Sequence, residues 1–327
     1  MSTFALIKLK NLTPLHLGTG RENYDFSSIA LQSDTISAAL AAIKAQQGET
    51  ENLNSFLESF RISSAFPYFK DHYFLPKPIG KLNVEVEGSP ESSIRKRLKK
   101  IKFMEWSSWN SLINGERLKA TELQIQSDFF LDRESISEFQ KPSISQVNQR
   151  VTISRDENIT TTPFFFDWTY FDSHAGLYCL TDARGSLLNE IVSLFQLLGE
   201  NGIGTDRNVG GGKFDVELQN VDIPSPKNQN ATMLLSLYIP KPNEIKFLQL
   251  GDARYDLLLR GGYIAGSSEV DFRHLRKKSI YMFGVGSIFP TKQELFGQVV
   301  DLAPDWNDER MHPVWRSGKP FILPINI

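Results

Sequence analysis

The chain has 327 residues, 40% hydrophobic and 23% charged, inside the ordinary globular range for a protein of about two domains. Its formal net charge is −2, from 36 Lys+Arg against 38 Asp+Glu, so it lacks the basic excess of a free-standing nucleic-acid binder. Any such contact must come from local patches or from a groove shared with other subunits.

A single cysteine, Cys179 in an apolar stretch, excludes a disulfide framework and a Cys-based zinc site and reads as a small core residue. The apolar runs fall far short of a membrane span. The start, Met1-Ser2-Thr3-Phe4 running into Lys8 and Lys10, is unlike a signal peptide. A soluble cytoplasmic protein with no membrane partner is expected.

Residues Phe4–Lys10 turn from apolar to alternating, which predicts a strand. After the loop Leu15-His16-Leu17-Gly18-Thr19-Gly20 comes a helix in which Ser33 can cap, Asp34 favours the positive end, and Ile36, Ala39, Leu40 and Ile43 share a face. Gly48 ends it. A short helix follows over Leu53–Phe60, then two strands, Ile62–Phe69 and His72–Leu75, joined by Lys70-Asp71 as a hairpin.

Residues 80–160 read as an insertion, with a basic helix over Ser92–Lys102, a helix over Trp106–Ile113, and extended segments at Thr121–Leu131 and Gln146–Ser154. Pro163–Phe171 and Gly176–Leu180 are expected to pair with each other around Asp172-Ser173-His174-Ala175. An amphipathic helix then carries Leu187, Leu188, Ile191, Leu194, Phe195 and Leu198 on one side. It runs into a glycine-rich loop and a strand over Phe214–Val221. With the insertion set aside, the order is strand, helix, two strands, helix, strand, the ferredoxin-like plan. A polar linker, Pro224 to Asn230, suggests a boundary, and the remainder reads mainly as strands.

The loop is the sharpest feature: Gly199, Gly202, Gly204, Gly210, Gly211 and Gly212 precede Lys213. Glycines let backbone N–H groups approach an anion. A mononucleotide turn, however, follows a strand and opens a helix, whereas this loop follows a helix, whose end repels phosphate. A loop that tracks an RNA backbone with Arg207 and Lys213 is one reading; a flexible connector is the other. Basic runs at Arg95–Lys102 and Arg273–Lys278 are candidate phosphate tracks or solvated faces. The acids Asp301, Asp305, Asp308 and Glu309 could hold a cation, with solvation the blander account. No His-x-x-x-His pair and no Gly-x-Ser-x-Gly elbow is present.

Several segments, in chain order, resemble the RAMP superfamily of CRISPR RNA-binding proteins, and in it the Csm-type subunit that binds the guide-RNA handle. They are the opening loop Leu15-His16-Leu17-Gly18; Gln32-Ser33-Asp34-Thr35-Ile36, with Gln32 where the family has His; Asn148-Gln149-Arg150-Val151-Thr152-Ile153-Ser154-Arg155, with Gln149 inserted and Ser154 in place of Asp; the glycine loop; and His312-Pro313-Val314-Trp315-Arg316-Ser317-Gly318-Lys319. The resemblance implies an α+β protein of two ferredoxin-like (RRM-like) domains. The first, 1–223, would carry an inserted thumb at about 80–160, and the second, 231–327, would be modified and mainly β.

It further implies a non-catalytic subunit of a type III-A effector. Such a subunit binds the 5′ handle of the crRNA and contacts the large polymerase-like subunit and a backbone RAMP subunit, with no cofactor and no metal. Candidate RNA contacts are His16, Gly18, Gly20, Ser33, Thr35, Asn148, Arg150, Arg155, Gly202, Gly204, Arg207, Gly210, Gly211, Gly212, Lys213, Arg316 and Lys319. Ser33 and Thr35 at a helix start can offer hydroxyls and N–H groups to phosphate, or simply cap. The alternative is a metal-independent crRNA-processing endoribonuclease of the same superfamily, with His16 as its most suspicious proton-transfer group.

Overall fold

The computed structural model describes residues 2–18, 24–28, 30–87, 91–153, 162–264, 267 and 269–326. Along the first half run β1 (Ser2–Lys10), α1 (Ser33–Gln46), α2 (Leu53–Glu58), β2 (Phe66–Phe69), β3 (His72–Pro76), β4 (Val84–Val86), α3 (Glu91–Lys100), β5 (Phe103–Glu105), α4 (Trp106–Ile113), β6 (Leu118–Ala120), β7 (Ile125–Gln126), β8 (Phe129–Phe130) and β9 (Ser143–Thr152). Then come β10 (Thr162–Phe171), β11 (Ala175–Thr181), α5 (Gly185–Asn201) and β12 (Asp215–Ile223). The remainder holds β13 (Ala231–Leu234), β14 (Leu257–Arg260), β15 (Ile280–Phe283), β16 (Ile288–Phe289), β17 (Val299–Asp301), β18 (Trp315–Ser317) and β19 (Ile322–Ile325), with only short 3-10 turns between them. The expected β character of the C-terminal part is what the chain shows.

An eight-stranded sheet in the order β12-β1-β11-β2-β3-β5-β8-β7 organises the molecule. β1 lies between two antiparallel neighbours, with Ile7 opposite both Cys179 and Leu218. Because successive side chains alternate, β1 feeds two cores. Ile7 and Leu9 join Leu177 and Cys179 beneath α1 and α5. Leu6 turns the other way and joins Tyr178 and Leu180 in a core shared with Met104 and Trp109 of the insertion and Met233 and Leu323 of the C-terminal part. Each fully buried Leu, Ile or Phe contributes roughly 1.5–3 kcal/mol, so both faces are strongly held. Two polar groups on large core side chains are satisfied: Trp109 Nε1 donates to the Pro76 carbonyl at 2.9 Å and the Tyr178 hydroxyl to the Phe74 carbonyl at 2.8 Å.

Two expectations change. The segment Pro163–Phe171 does not pair with Gly176–Leu180. It pairs residue for residue with β9, from Thr162↔Thr152 to Phe171↔Ser143. Both edges of β11 are already taken, by β1 and β2, so no ladder remains for β10. Within the insertion, β5, β8 and β7 extend the main sheet beyond β3, while β9 and β10 form a long hairpin. Finally, Ser33 is not the cap of α1. Gln32 occupies that position in extended backbone, with no side-chain cap.

Candidate nucleic-acid interface

The glycine loop after α5 is pinned to its surroundings. Gly202 closes the helix at φ 79°, its N–H donating to the Leu198 carbonyl at 2.8 Å. Inside the loop Ile203 N–H donates to the Gly212 carbonyl at 2.9 Å. Two donors tie the loop to the opening segment: Thr205 N–H to the His16 carbonyl at 3.0 Å, and Gly212 N–H to the Pro14 carbonyl at 2.9 Å. The Thr13 hydroxyl donates to the Gly210 carbonyl at 2.8 Å and accepts from Lys213 N–H at 2.7 Å.

Glycine is obligatory where these contacts are tightest. A Cβ on Gly212, at φ 68°, would lie 1.9 Å from the Ile203 carbonyl oxygen; one on Gly204 would lie 2.4 Å from that of His16. Gly211 faces Trp168, whose Cη2 would meet a Cβ at 2.6 Å. Gly210 and Gly18 have open space around them. The loop is a fixed cradle, with the Arg207 and Lys213 side chains exposed along it.

One face of the β9–β10 hairpin closes against this cradle. By register Asn148 and Arg150 share that face with Phe164, Phe166 and Trp168. Arg150 Nη1 meets Asp206 Oδ2 of the loop at 2.6 Å, and its guanidinium lies 4.5 Å from the Phe166 ring and 5.2 Å from that of Trp168. Asp206 itself adopts a left-handed φ of 56°, so the pair rests on a constrained turn. His16 is 1% exposed, its Nδ1 2.7 Å from the Asp167 carbonyl oxygen and its ring 4.5 Å from Phe166. It fastens the opening loop to the hairpin and presents no side-chain surface to a ligand. Exposed Tyr24 stacks on Phe166 at 5.9 Å, and Phe165 is exposed on the opposite face.

A second cluster lies at the head of α1. Asp34 is fully buried; its Oδ2 accepts from Arg316 Nη1 at 2.6 Å and from Arg260 Nε at 2.8 Å. Arg260 Nη2 also reaches Asp34 Oδ1 at 3.1 Å and Thr35 Oγ1 at 3.0 Å. Burial pushes the Asp34 carboxyl upward, but Arg316 and Arg260 outweigh it and hold the group below its ordinary value. Lys277, beside them, is pushed down to about 8, chiefly by burial and then by repulsion from Arg316.

Ser33 binds the two halves of the chain together: its hydroxyl accepts from Leu237 N–H at 2.9 Å, while its own N–H donates to Ser64 Oγ at 3.0 Å. Gln32 Oε1 in turn accepts from Ser64 Oγ at 2.9 Å. Lys319 pairs with Glu58 of α2 at 2.9 Å.

The seventeen candidates therefore separate. His16, Gly18, Asn148, Arg150 and the loop residues Gly202, Gly204, Arg207, Gly210, Gly211, Gly212 and Lys213 belong to the cradle region. Ser33, Thr35, Arg316 and Lys319 lie at the seam with the C-terminal part. Gly20 and Arg155 lie outside the described residues.

Sequence reading missed Thr13, Tyr24, Asp206 and Arg260, and held Lys277 only as a member of the basic run Arg273–Lys278. It also missed the role of the Phe164, Phe166, Trp168 alternation, whose period of two was visible. Some members of the other charge runs are paired. Arg97 pairs with Glu122 at 2.9 Å, Lys278 with Asp305 at 2.6 Å, and Asp308 with Arg310 at 2.8 Å. No cluster of three metal-ligating side chains occurs among the described residues, nor does any helix there have the length and apolarity to cross a membrane.

The comparisons place the chain beside CRISPR-associated proteins, to which it is similar over nearly its whole length. Among these it resembles Csm4, and residues 227–325 match the family model described as the CRISPR Csm4 C-terminal domain. The "CRISPR system Cms protein Csm4" of Mycobacterium tuberculosis is 25% identical over 311 residues, covering 94% of this chain and 93% of the relative. Its namesake in Streptococcus thermophilus is 24% identical over 327 residues, covering 95% and 96%. Among solved structures, a chain of the Csm3-Csm4 subcomplex of the type III-A CRISPR-Cas interference complex superposes with a TM-score of 0.64 at 18% identity, over 100% of both chains. A chain of the Csm1-Csm4 cassette in complex with cA4 gives 0.62 at 20% identity, over 100% of this chain and 99% of that one.

Proposed function

We propose that the chain is a non-catalytic RNA-binding subunit of a type III-A CRISPR effector, gripping the 5′ handle of the crRNA and joining the large polymerase-like subunit to the backbone subunits. The observation that carries the reading is the pinned glycine cradle. It sets exposed Arg207 and Lys213 beside the open Gly210 and next to an aromatic hairpin face. Fixed backbone, local cations and an exposed ring such as Tyr24 are what an extended single strand needs: phosphate contacts and stacking without duplex shape. The assemblies in which the similar chains were solved, Csm1-Csm4 and Csm3-Csm4, support the two protein partners.

The order β1-α1-β2-β11-α5-β12, with sheet order β12-β1-β11-β2, supports a ferredoxin-like first domain over 1–223, carrying a thumb whose hairpin is β9–β10. The region 231–327 is then a second, modified and mainly β domain of the same kind. The processing-endoribonuclease alternative loses its best candidate, because buried His16 cannot approach a scissile phosphate.

The test is titration of handle-bearing RNA at several salt concentrations. Wild type should bind with a negative log–log salt slope and leave the RNA intact. Arg207→Gln with Lys213→Gln should flatten that slope by roughly 0.7 per lost contact. Cleavage at a defined site, or a slope unmoved by the double change, counts against the reading.

A further inference from the structure

The cluster at the head of α1 contains more positive charge than its own acid balances. Arg260, Arg316 and Lys277 act on the single carboxylate of Asp34, and three cations against one anion leave an excess of two. Arg316 is 5% exposed, and its Nε is buried without an acceptor. Lys277 is half-buried, its stem running past Gly262, where a Cβ would lie 4.0 Å from Lys277 Cε. Its ammonium finds no acceptor among the described residues.

A purely structural lock would pair its charges. A buried cation without a partner is costly, and an apolar side chain in its place would cost nothing of the kind. Here two cationic donors lack acceptors at one place. Arg260, with 26% of its side chain exposed, gives that place an opening to solvent.

The donor set indicates the missing group. Guanidinium forks and an ammonium together match the oxygens of a phosphate, and the start of a 14-residue helix adds the favourable end of its dipole. We propose that a phosphate group is held between Arg260 and Lys277 at the head of α1, backed by Arg316, and that in the effector this phosphate belongs to the guide RNA. The identity of the RNA as its source rests on the function proposed above; the anion site itself does not. Arg260 stands in no recognisable motif and Lys277 only in the basic run Arg273–Lys278, so their convergence on Asp34 is a property of the folded chain.

The test uses the full-length chain in two assays. Inorganic pyrophosphate should raise the Tm of wild type, since a ligand of the folded state stabilises it, and Lys277→Gln should abolish most of that rise. With short single-stranded RNA, Lys277→Gln should weaken binding about tenfold and reduce the salt slope by about 0.7. Lys277→Met, which keeps the stem beside Gly262, guards against a mere loss of fold. RNAs with a 5′-phosphate and with a 5′-hydroxyl separate a terminal phosphate from an internal diester: the first loses more affinity in the variant only if the terminal group is bound. A Lys277-dependent pyrophosphate shift with no RNA binding by wild type keeps the site and removes the RNA as its source. Variants indistinguishable from wild type in both assays overturn the proposal.

Discussion

Asp34 is charged although no part of it reaches solvent, because Arg316 and Arg260 approach the same carboxylate. Removing one partner leaves a buried charge exposed to its desolvation cost, so Arg316→Met should destabilise the chain by about 3–5 kcal/mol in urea unfolding. Lys277 gives a pH signature of opposite origin. Its folded-state value of about 8 lies below its ordinary 10.5, so between those limits the unfolded chain holds more protons. Stability should therefore rise as pH climbs from about 8 toward 10.5, and Lys277→Met should remove that slope. Asp34, held low, acts at the other extreme: its contribution is complete above the ordinary carboxylate range and is lost as pH falls through its folded value. None of this was legible from Ser33-Asp34-Thr35 alone. A Ser-Asp-Thr helix start reads as capping chemistry, and only the return of residues 260 and 316 from the far end of the chain turns it into a buried ion cluster.

The elements around the glycine loop decide whether that loop is a cradle or a tether. Trp168 lies against Gly211, and the Arg150–Asp206 pair clamps the loop's turn. Trp168→Ala should remove about 3–5 kcal/mol of packing and speed amide exchange at Thr205 and Gly212, whose acceptors lie in the opening segment. Gly212→Ala should be more damaging to the loop than Gly210→Ala. The first meets a carbonyl oxygen at 1.9 Å as well as a positive φ, whereas the second meets only the backbone strain. Thermal unfolding and exchange on the two variants measure the difference.

Much of this level could be read from the chain. The strand Phe4–Lys10, both long helices and the late glycine loop follow from periodicity and turn chemistry. The partner of Pro163–Phe171 could not, since adjacency favoured a hairpin with Gly176–Leu180. The competing fact, that β11 is claimed on both edges, is a property of the whole sheet. The same holds for His16, whose burial depends on a hairpin about 150 residues away in sequence.

At the scale of the molecule, a net charge of −2 is compatible with the proposed RNA-binding role because of where the cations sit. Some cations of the basic runs are paired with acids, as Arg97, Lys102 and Lys278 are, while Arg207 and Lys213 stand exposed at the cradle and unbalanced charge gathers at the head of α1. The core on one face of β1 contains Leu6 together with Trp109 of the insertion and Met233 of the C-terminal part, so these regions share buried packing. Recognition by so few local cations predicts that affinity falls steeply with salt while discrimination comes from stacking and backbone shape. The most direct measurement is photocrosslinking of the chain within its purified effector, with the attached peptides identified by mass spectrometry. The account predicts a short processed RNA joined to peptides spanning the Gly202–Lys213 loop and Tyr24. Crosslinks confined to other surfaces, or an assembly that contains no short RNA, would contradict it.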